Sequence, residues 1–167
     1  MTLKGWLWFC VAACAPFAPA CRGQFASPWR GYKMMDGLPE PACASVTVSA
    51  QGTVLARHLN APSLTRLDGY TVSVLPAPPT RGGRCYESPA GQLWTASAEG
   101  LCEFKQAGWM LHAVPEIAAE SKVRSLPHGV PLFVVRHGRV LFLLPDRLCE
   151  WNAEDPDRTH TETLRMA

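Results

Sequence analysis

An all-β chain built from a repeated four-stranded unit is what this sequence predicts, and three observations carry the prediction. The 167 residues include 13 Gly and 15 Pro scattered along the whole length, which breaks up helices and favours short strands joined by turns. Apolar and polar residues alternate over short runs, the period of a strand with one face buried. Three segments also match when aligned on a turn glycine: Gly52, Gly91 and Gly138, at spacings of 39 and 47 residues. Hydrophobic residues make up 47% and charged residues 18%, enough for a real core and too apolar for disorder.

The units run over about 44–76, 84–115 and 131–165. Within each, a first strand leads to the turn glycine. The second strand opens as Thr53-Val54-Leu55, Gln92-Leu93-Trp94 and Arg139-Val140-Leu141. The third reads Leu64-Thr65-Arg66-Leu67, Leu101-Cys102-Glu103-Phe104 and Leu148-Cys149-Glu150-Trp151, with LCEF and LCEW offset by 47 residues. A further turn, Asp68-Gly69 or Ala107-Gly108, starts a fourth strand. Four short strands recurring every 40 or so residues are the pattern of a β-propeller blade. One small twisted sheet cannot bury both faces, so blades stack and bury each other's.

Leu55, Leu67, Leu93, Trp94, Leu101, Phe104, Leu141, Phe142, Leu148 and Trp151 are expected to fill the layers between blades. The repeat positions Gly37, Gly52, Gly91, Trp94, Gly100, Leu101, Phe104, Gly138, Leu148 and Trp151 are thus read as structural. Segments 77–83 and 115–129 read as linking loops of unequal length. Residues 29–34 read as the outer strand of a closing blade. Three stacked blades leave two open apolar faces, at the first and the third, with Leu141, Phe142, Leu143 and Trp151 among the exposed groups. Missing blades or self-association would cover them, and the isolated chain is expected to be marginal or aggregation-prone.

Residues 1–20 read as a secretory signal peptide: a basic start at Lys4, an uncharged apolar run from Gly5 to Phe17, then Ala18-Pro19-Ala20. The run is shorter than the roughly 20 apolar residues a membrane crossing needs, and Pro16 interrupts it. Val11-Ala12-Ala13-Cys14 and Ala18-Pro19-Ala20-Cys21 also offer Cys14 or Cys21 for lipidation. The chain is therefore expected outside the cytoplasm, in the periplasm or cell envelope. Membrane attachment would come only through a lipid or a region outside these residues.

Export permits disulfides, but Cys43, Cys85, Cys102 and Cys149 allow three pairings and the sequence does not choose. Buried thiols acting as small apolar side chains are the simpler reading. A formal charge of +2, from 16 basic and 14 acidic side chains, argues against nucleic acid as a partner. His58, His112, His128, His137 and His160 stand in no metal or nucleophile motif. The acidic cluster Glu154-Asp155-Pro156-Asp157 lacks calcium-loop spacing and reads as a solvated turn. Arg81-Gly82-Gly83-Arg84 reads as an inter-blade loop. No catalytic residue, metal ligand or cofactor site is predicted.

Ahead of the first unit stands Tyr32-Lys33-Met34-Met35-Asp36-Gly37-Leu38-Pro39. Together with Ala50-Gln51-Gly52-Thr53-Val54-Leu55, Ala90-Gly91-Gln92-Leu93-Trp94-Thr95 and Glu99-Gly100-Leu101, this tract resembles the two-component regulator propeller repeats. Those repeats form the periplasmic sensor region of bacterial sensor histidine kinases and hybrid regulators. The resemblance covers roughly residues 29–165. Val54-Leu55-Ala56 and Val140-Leu141-Phe142-Leu143 depart from the usual aromatic pattern. It implies an N-terminal fragment of about three blades, 21–167 after the signal. It also implies a non-catalytic ligand-sensing role, with kinase activity in a module beyond this chain and oligosaccharides or other small molecules as ligands. Two other classes stay open: a fragment of a secreted propeller enzyme acting on polysaccharide, and a protein-binding scaffold without signalling. The enzyme would need clustered carboxylates, His or Arg on the channel strands Val46-Thr47-Val48, Tyr86-Glu87 and Phe133-Val134-Val135, which offer one carboxylate, Glu87.

Overall fold

Among the described residues the chain forms three four-stranded antiparallel sheets, each a simple meander in chain order. The structure is a computed structural model, described for residues 31–80, 83–124, 129–135 and 138–163. The chain divides into two units, Met1–Gly31 and Tyr32–Ala167, and the three sheets described belong to the second. The predicted signal segment and residues 29–30 lie outside the described residues.

Blade 1 contains β1 (Cys43–Val48), β2 (Val54–His58), β3 (Ser63–Leu67) and β4 (Val72–Pro76). Blade 2 contains β5 (Cys85–Glu87), β6 (Leu93–Ala96), β7 (Gly100–Lys105) and β8 (Gly108–Ala113). Blade 3 contains β9 (Leu132–Val134), β10 (Arg139–Leu144), β11 (Arg147–Asn152) and β12 (Asp155–Thr163). The first strands β1, β5 and β9 contact one another in succession, as the inner strands of a propeller do. This is the all-β, incomplete propeller architecture the repeat predicts.

Alternation fixes which residues meet. Thr47, Leu55 and Arg66 pair across blade 1 and face blade 2, as do Arg57 and Leu64. Leu55, Leu64, Cys85 and Leu93 form one buried cluster between blades 1 and 2, with Leu75, Phe104 and Trp109 packed on it. The second, larger cluster joins blades 2 and 3 and includes Trp94, Leu101, Val140, Phe142 and Trp151. Each fully buried Leu or Phe contributes about 1.5–3 kcal/mol, so these two layers hold the stack together. Polar links reinforce the first layer: Ser45 Oγ donates to Gly83 O at 3.4 Å, Thr47 Oγ1 donates to Cys85 O, and Arg66 pairs with Glu87 at 2.8 Å.

Phe142 and Trp151 are therefore not at an open face, as the sequence suggested. They sit on the blade 3 surface that meets blade 2, with 1% and 0% exposure, because β10 and β11 present alternate residues to opposite sides. Leu143 is exposed and Leu141 half-buried. Phe104 and Leu148, expected in the core, are likewise only half-buried.

The aligned glycines occupy one backbone role. Gly52, Gly91 and Gly138 have φ of +83°, +84° and +71°, the left-handed region that glycine enters without a Cβ penalty. In blades 1 and 2 the turn is closed identically: Gly52 N donates to Ser49 O at 3.0 Å and Gly91 N to Ser88 O at 2.9 Å. The serine hydroxyls accept from Thr53 N and Gln92 N.

The β7–β8 hairpin does the same with unsuitable residues. Gln106 and Ala107 have φ of +51° and +63°, the requirement of a turn that normally recruits Asn-Gly. Replacing them with Asn-Gly relieves a cost of about 1–2 kcal/mol per left-handed residue. The double variant Q106N/A107G is expected to melt several degrees higher than the parent in differential scanning calorimetry.

Three other expectations are corrected. Residues 31–33 of the predicted 29–34 strand form no regular element, and Met34–Asp36 is a 3₁₀ turn. Gly37 terminates it, its N–H donating to Met34 O. Glu40 then accepts from Asn60 N at 2.7 Å and Ala61 N at 3.3 Å, tying this lead-in to the β2–β3 hairpin. Part of the 115–129 loop is a helix, α1 (Pro115–Val123), begun by Pro115 and anchored by buried Ile117. The acidic cluster is not all turn: β12 starts at Asp155, because pairing with β11 continues to Asn152↔Asp155.

Candidate functional site

In an antiparallel four-stranded meander, the β2–β3 type hairpins and the linkers to the next blade lie at one end. The β1–β2 and β3–β4 type hairpins lie at the other. The linker end carries a cleft of about 560 Å³. Three pieces of chain wall it: the blade 1–2 linker through Thr80 and Gly83, the β6–β7 hairpin through Ser97 and Glu99, and the α1 linker through Arg124 and Gly129. Cys102, Leu111 and Val130 add an apolar floor.

Two glycines let these pieces approach. A Cβ on Gly129 would lie 3.5 Å from Gly83 Cα, and a Cβ on Gly83 would lie 3.2 Å from Thr95 Oγ1 and 3.3 Å from Ala96 O. Ser97 shapes the hairpin: its Oγ accepts from Glu99 N at 3.2 Å and Gly100 N at 3.1 Å. Arg57, 7% exposed, holds the first linker from beneath. Its Nη1 donates to Thr80 Oγ1 at 3.1 Å and Gly83 O at 3.2 Å. Burial lowers its pKa, with the Cys85 thiol acting in the opposite sense. Arg124 projects at the rim, paired with Glu120 at 3.3 Å and largely exposed. The result is a preformed hollow with a polar rim and an apolar floor, in the size range of small-molecule sites.

A second polar cluster lies between blades 2 and 3. The buried Glu103 carboxylate accepts from Gln92 Nε2 at 3.0 Å and meets His112 Nε2 at 3.1 Å. The His112 ring lies 5.6 Å from Trp94 and 4.8 Å from Trp151. Trp151 of blade 3 meets both His112 and Trp94 of blade 2, so the cluster joins the two blades.

The predicted repeat positions are spread through the fold rather than gathered. Trp94, Leu101 and Trp151 share one buried layer, Phe104 lies in the other, and Leu148 faces away from both. Gly37, Gly52, Gly91 and Gly138 sit in turns, and Gly100 opens β7. Cys85, Cys102 and Cys149 are buried free thiols and Cys43 is an exposed one. Burial pushes the Cys85 thiol up to about 11, partly offset by Arg57. Glu87, the carboxylate on the inner strands, is turned into the blade 1–2 layer against Arg66. Residues that shape the cleft, Arg57, Ser97 and Arg124, were not singled out by the sequence.

A scan against family models finds no match, nor does a search of curated proteins. Among solved structures, the chain is similar to a streptogramin B lyase, with TM-score 0.49 and 11% identity over 77% of this chain and 43% of that one. It is also similar to a catalytically inactive virginiamycin B lyase from Staphylococcus aureus with quinupristin, with TM-score 0.47 and 11% identity over 78% and 44%. A third similarity is to the extracellular domain of a one-component system from B. thetaiotaomicron, with TM-score 0.48 and 12% identity over 82% and 18%. The chain thus spans less than half the length of each. Likeness at this level says nothing of substrate or activity, because such folds host unrelated functions. What the chain's own sheets establish is the architecture, an incomplete propeller-type stack of blades.

Proposed function

We propose that this chain is the ligand-recognition part of an extracytoplasmic propeller serving a two-component sensor, without turnover of its own, and that the linker-end cleft is its binding site. The cleft carries the reading. It is built from the segments that vary most between blades, while the strands beneath repeat, the arrangement by which a rigid scaffold presents variable recognition loops. The signal-like residues 1–20 and the Asp36-Gly37-Leu38-Pro39 tract support export and the sensor context. Its ligand is a small molecule or short oligosaccharide that spans rim groups such as Glu99 and Arg124.

Thermal-shift screening of the chain against neutral and uronic-acid oligosaccharides tests this. A ligand present at 100 times its Kd stabilises by about 2.7 kcal/mol, an upward shift of several degrees. The expected result is a shift for one ligand class that is lost in both Arg124→Ala and Glu99→Ala, with the ligand recovered intact by chromatography. A shift indifferent to both substitutions, or conversion of the ligand to products, would sink the proposal.

A further inference from the structure

The charges around the cleft do not balance, and the imbalance sits on one residue. On the α1 side Arg124 pairs with Glu120 at 3.3 Å, Glu120 lies 4.0 Å from Arg147, and Arg147 pairs with Asp146 at 3.3 Å. Two guanidiniums and two carboxylates make that wall neutral as a set. On the β6–β7 hairpin wall stands Glu99. Among the described residues its carboxylate enters no ion pair and accepts no hydrogen bond, while Arg66, His112 and Arg139 are each taken by another glutamate. Arg57 lies behind the first linker, its Nη1 committed to Thr80 and Gly83.

The hairpin holds Glu99 beside the floor. Its N–H donates to Ser97 Oγ at 3.2 Å and its carbonyl accepts from Val114 N at 3.1 Å, so the backbone is fixed by the turn and by the exit of β8. Burial pushes the Cys102 thiol up, the Ser97 hydroxyl opposes the rise, and the Glu99 charge adds to it. The field of Glu99 thus reaches the floor that Cys102 shares with Leu111 and Val130. A carboxylate over an apolar floor, with no cation of its own, gains most from a ligand cation, because charge-assisted hydrogen bonds are roughly twice as strong as neutral ones. A metal ion would need several protein ligands, and no group of three or more acidic, His or Cys side chains converges among the described residues. A guanidinium favours an aromatic face to stack on, and the described lining residues provide none. An ammonium group needs neither.

We propose that the cleft selects ligands bearing a primary ammonium group, with Glu99 as its counter-ion and Cys102, Leu111 and Val130 receiving the apolar part. This rests on the cleft being the binding site and names the charge its ligand carries. The same group occurs on amino-sugar oligosaccharides and on the N-termini of short peptides, so the test includes both.

Isothermal titration of the full chain, at a pH between the carboxylate and amine titration ranges, compares two matched pairs of probes. One pair is the trimer of glucosamine and the trimer of N-acetylglucosamine; the other is dileucine and N-acetyl-dileucine. Acetylation removes the charge and keeps the skeleton. Within at least one pair the free amine is expected to bind about 10-fold or more tightly than its acetylated form, and Glu99→Gln is expected to abolish that preference. The pair that responds identifies the source of the amine. Glu99 is exposed and glutamine keeps its size, and an unchanged melting temperature verifies the fold. Equal affinity within both pairs, a preference that survives Glu99→Gln, or no binding of any probe would each overturn the inference. An oligosaccharide shift lost in Arg124→Ala and Glu99→Ala but indifferent to acetylation of the ligand overturns the ammonium assignment alone and leaves the cleft as the binding site.

Discussion

Gly100→Ala is expected to unfold blade 2. Gly100 opens β7 directly after the hairpin that walls the cleft, with φ of +154°. A Cβ there would lie 2.2 Å from His112 O and 2.6 Å from Val114 N. Both atoms belong to the backbone of the neighbouring strand and its exit, so no rotamer change relieves the clash. The β7–β8 pairing Gly100↔Ala113 would have to break, taking buried Leu101 and Val114 with it. A loss of about 4 kcal/mol or more follows, at the extreme of single-residue effects. Gly91→Ala is the control: it shares a positive φ of +84° but has nothing within 4 Å of its Cβ, so it costs only the left-handed strain of about 1–2 kcal/mol. Urea denaturation of the two variants should separate them clearly. Equal losses would mean that conformational strain, rather than the close approach of β8, makes glycine necessary at 100.

How much of this was legible in the sequence follows from which physical signals are local. The turn glycines were readable because a left-handed backbone position selects a residue type at a fixed place, and Gly52, Gly91 and Gly138 recur with the strands after them. The LCEF and LCEW tracts were readable as third strands for the same reason. What period-two alternation does not disclose is which face meets which neighbour. Phe142 and Leu143 are adjacent and both large, and only the stacking order sends the first inward and the second to water. Helix α1 was hidden because nine residues with one fully buried side chain, Ile117, leave almost no helical stripe to detect. The cleft was half visible: its two linkers stood out as the long, unequal segments. Arg57 did not, because a polar residue on an alternating strand reads as solvent-facing until Thr80 and Gly83 are seen to receive it. Gly83 and Gly129 read only as loop glycines, since their closeness is a fact of two linkers far apart in the chain.

The layer between blades 2 and 3 is where a single truncation should do the most damage apart from Gly100. Trp151 is fully buried. Its ring centroid lies 5.7 Å from Trp94 in an edge-on contact and 4.8 Å from His112. Trp151→Ala removes the largest side chain that blade 3 gives to this layer. The surrounding sheets are pinned by their own ladders and collapse little, so the cost combines lost transfer energy with a cavity, about 3–5 kcal/mol. Trp94→Ala should cost a similar amount for the same reason. The two losses should not add, since each indole supports the other and both support His112 over Glu103; contacting residues couple by about 0.5–3 kcal/mol. A double-mutant cycle read by urea denaturation therefore expects the double variant to be less destabilised than the sum of the singles. Strict additivity would show that the two indoles pack independently, leaving the blade 2–3 contact to the aliphatic residues Leu101, Val140 and Phe142. Trp151→Phe refines the cycle. It keeps an aromatic ring against Trp94 and His112 while giving up volume, and should lose less than half of what alanine loses if ring contact rather than sheer size holds the blades together.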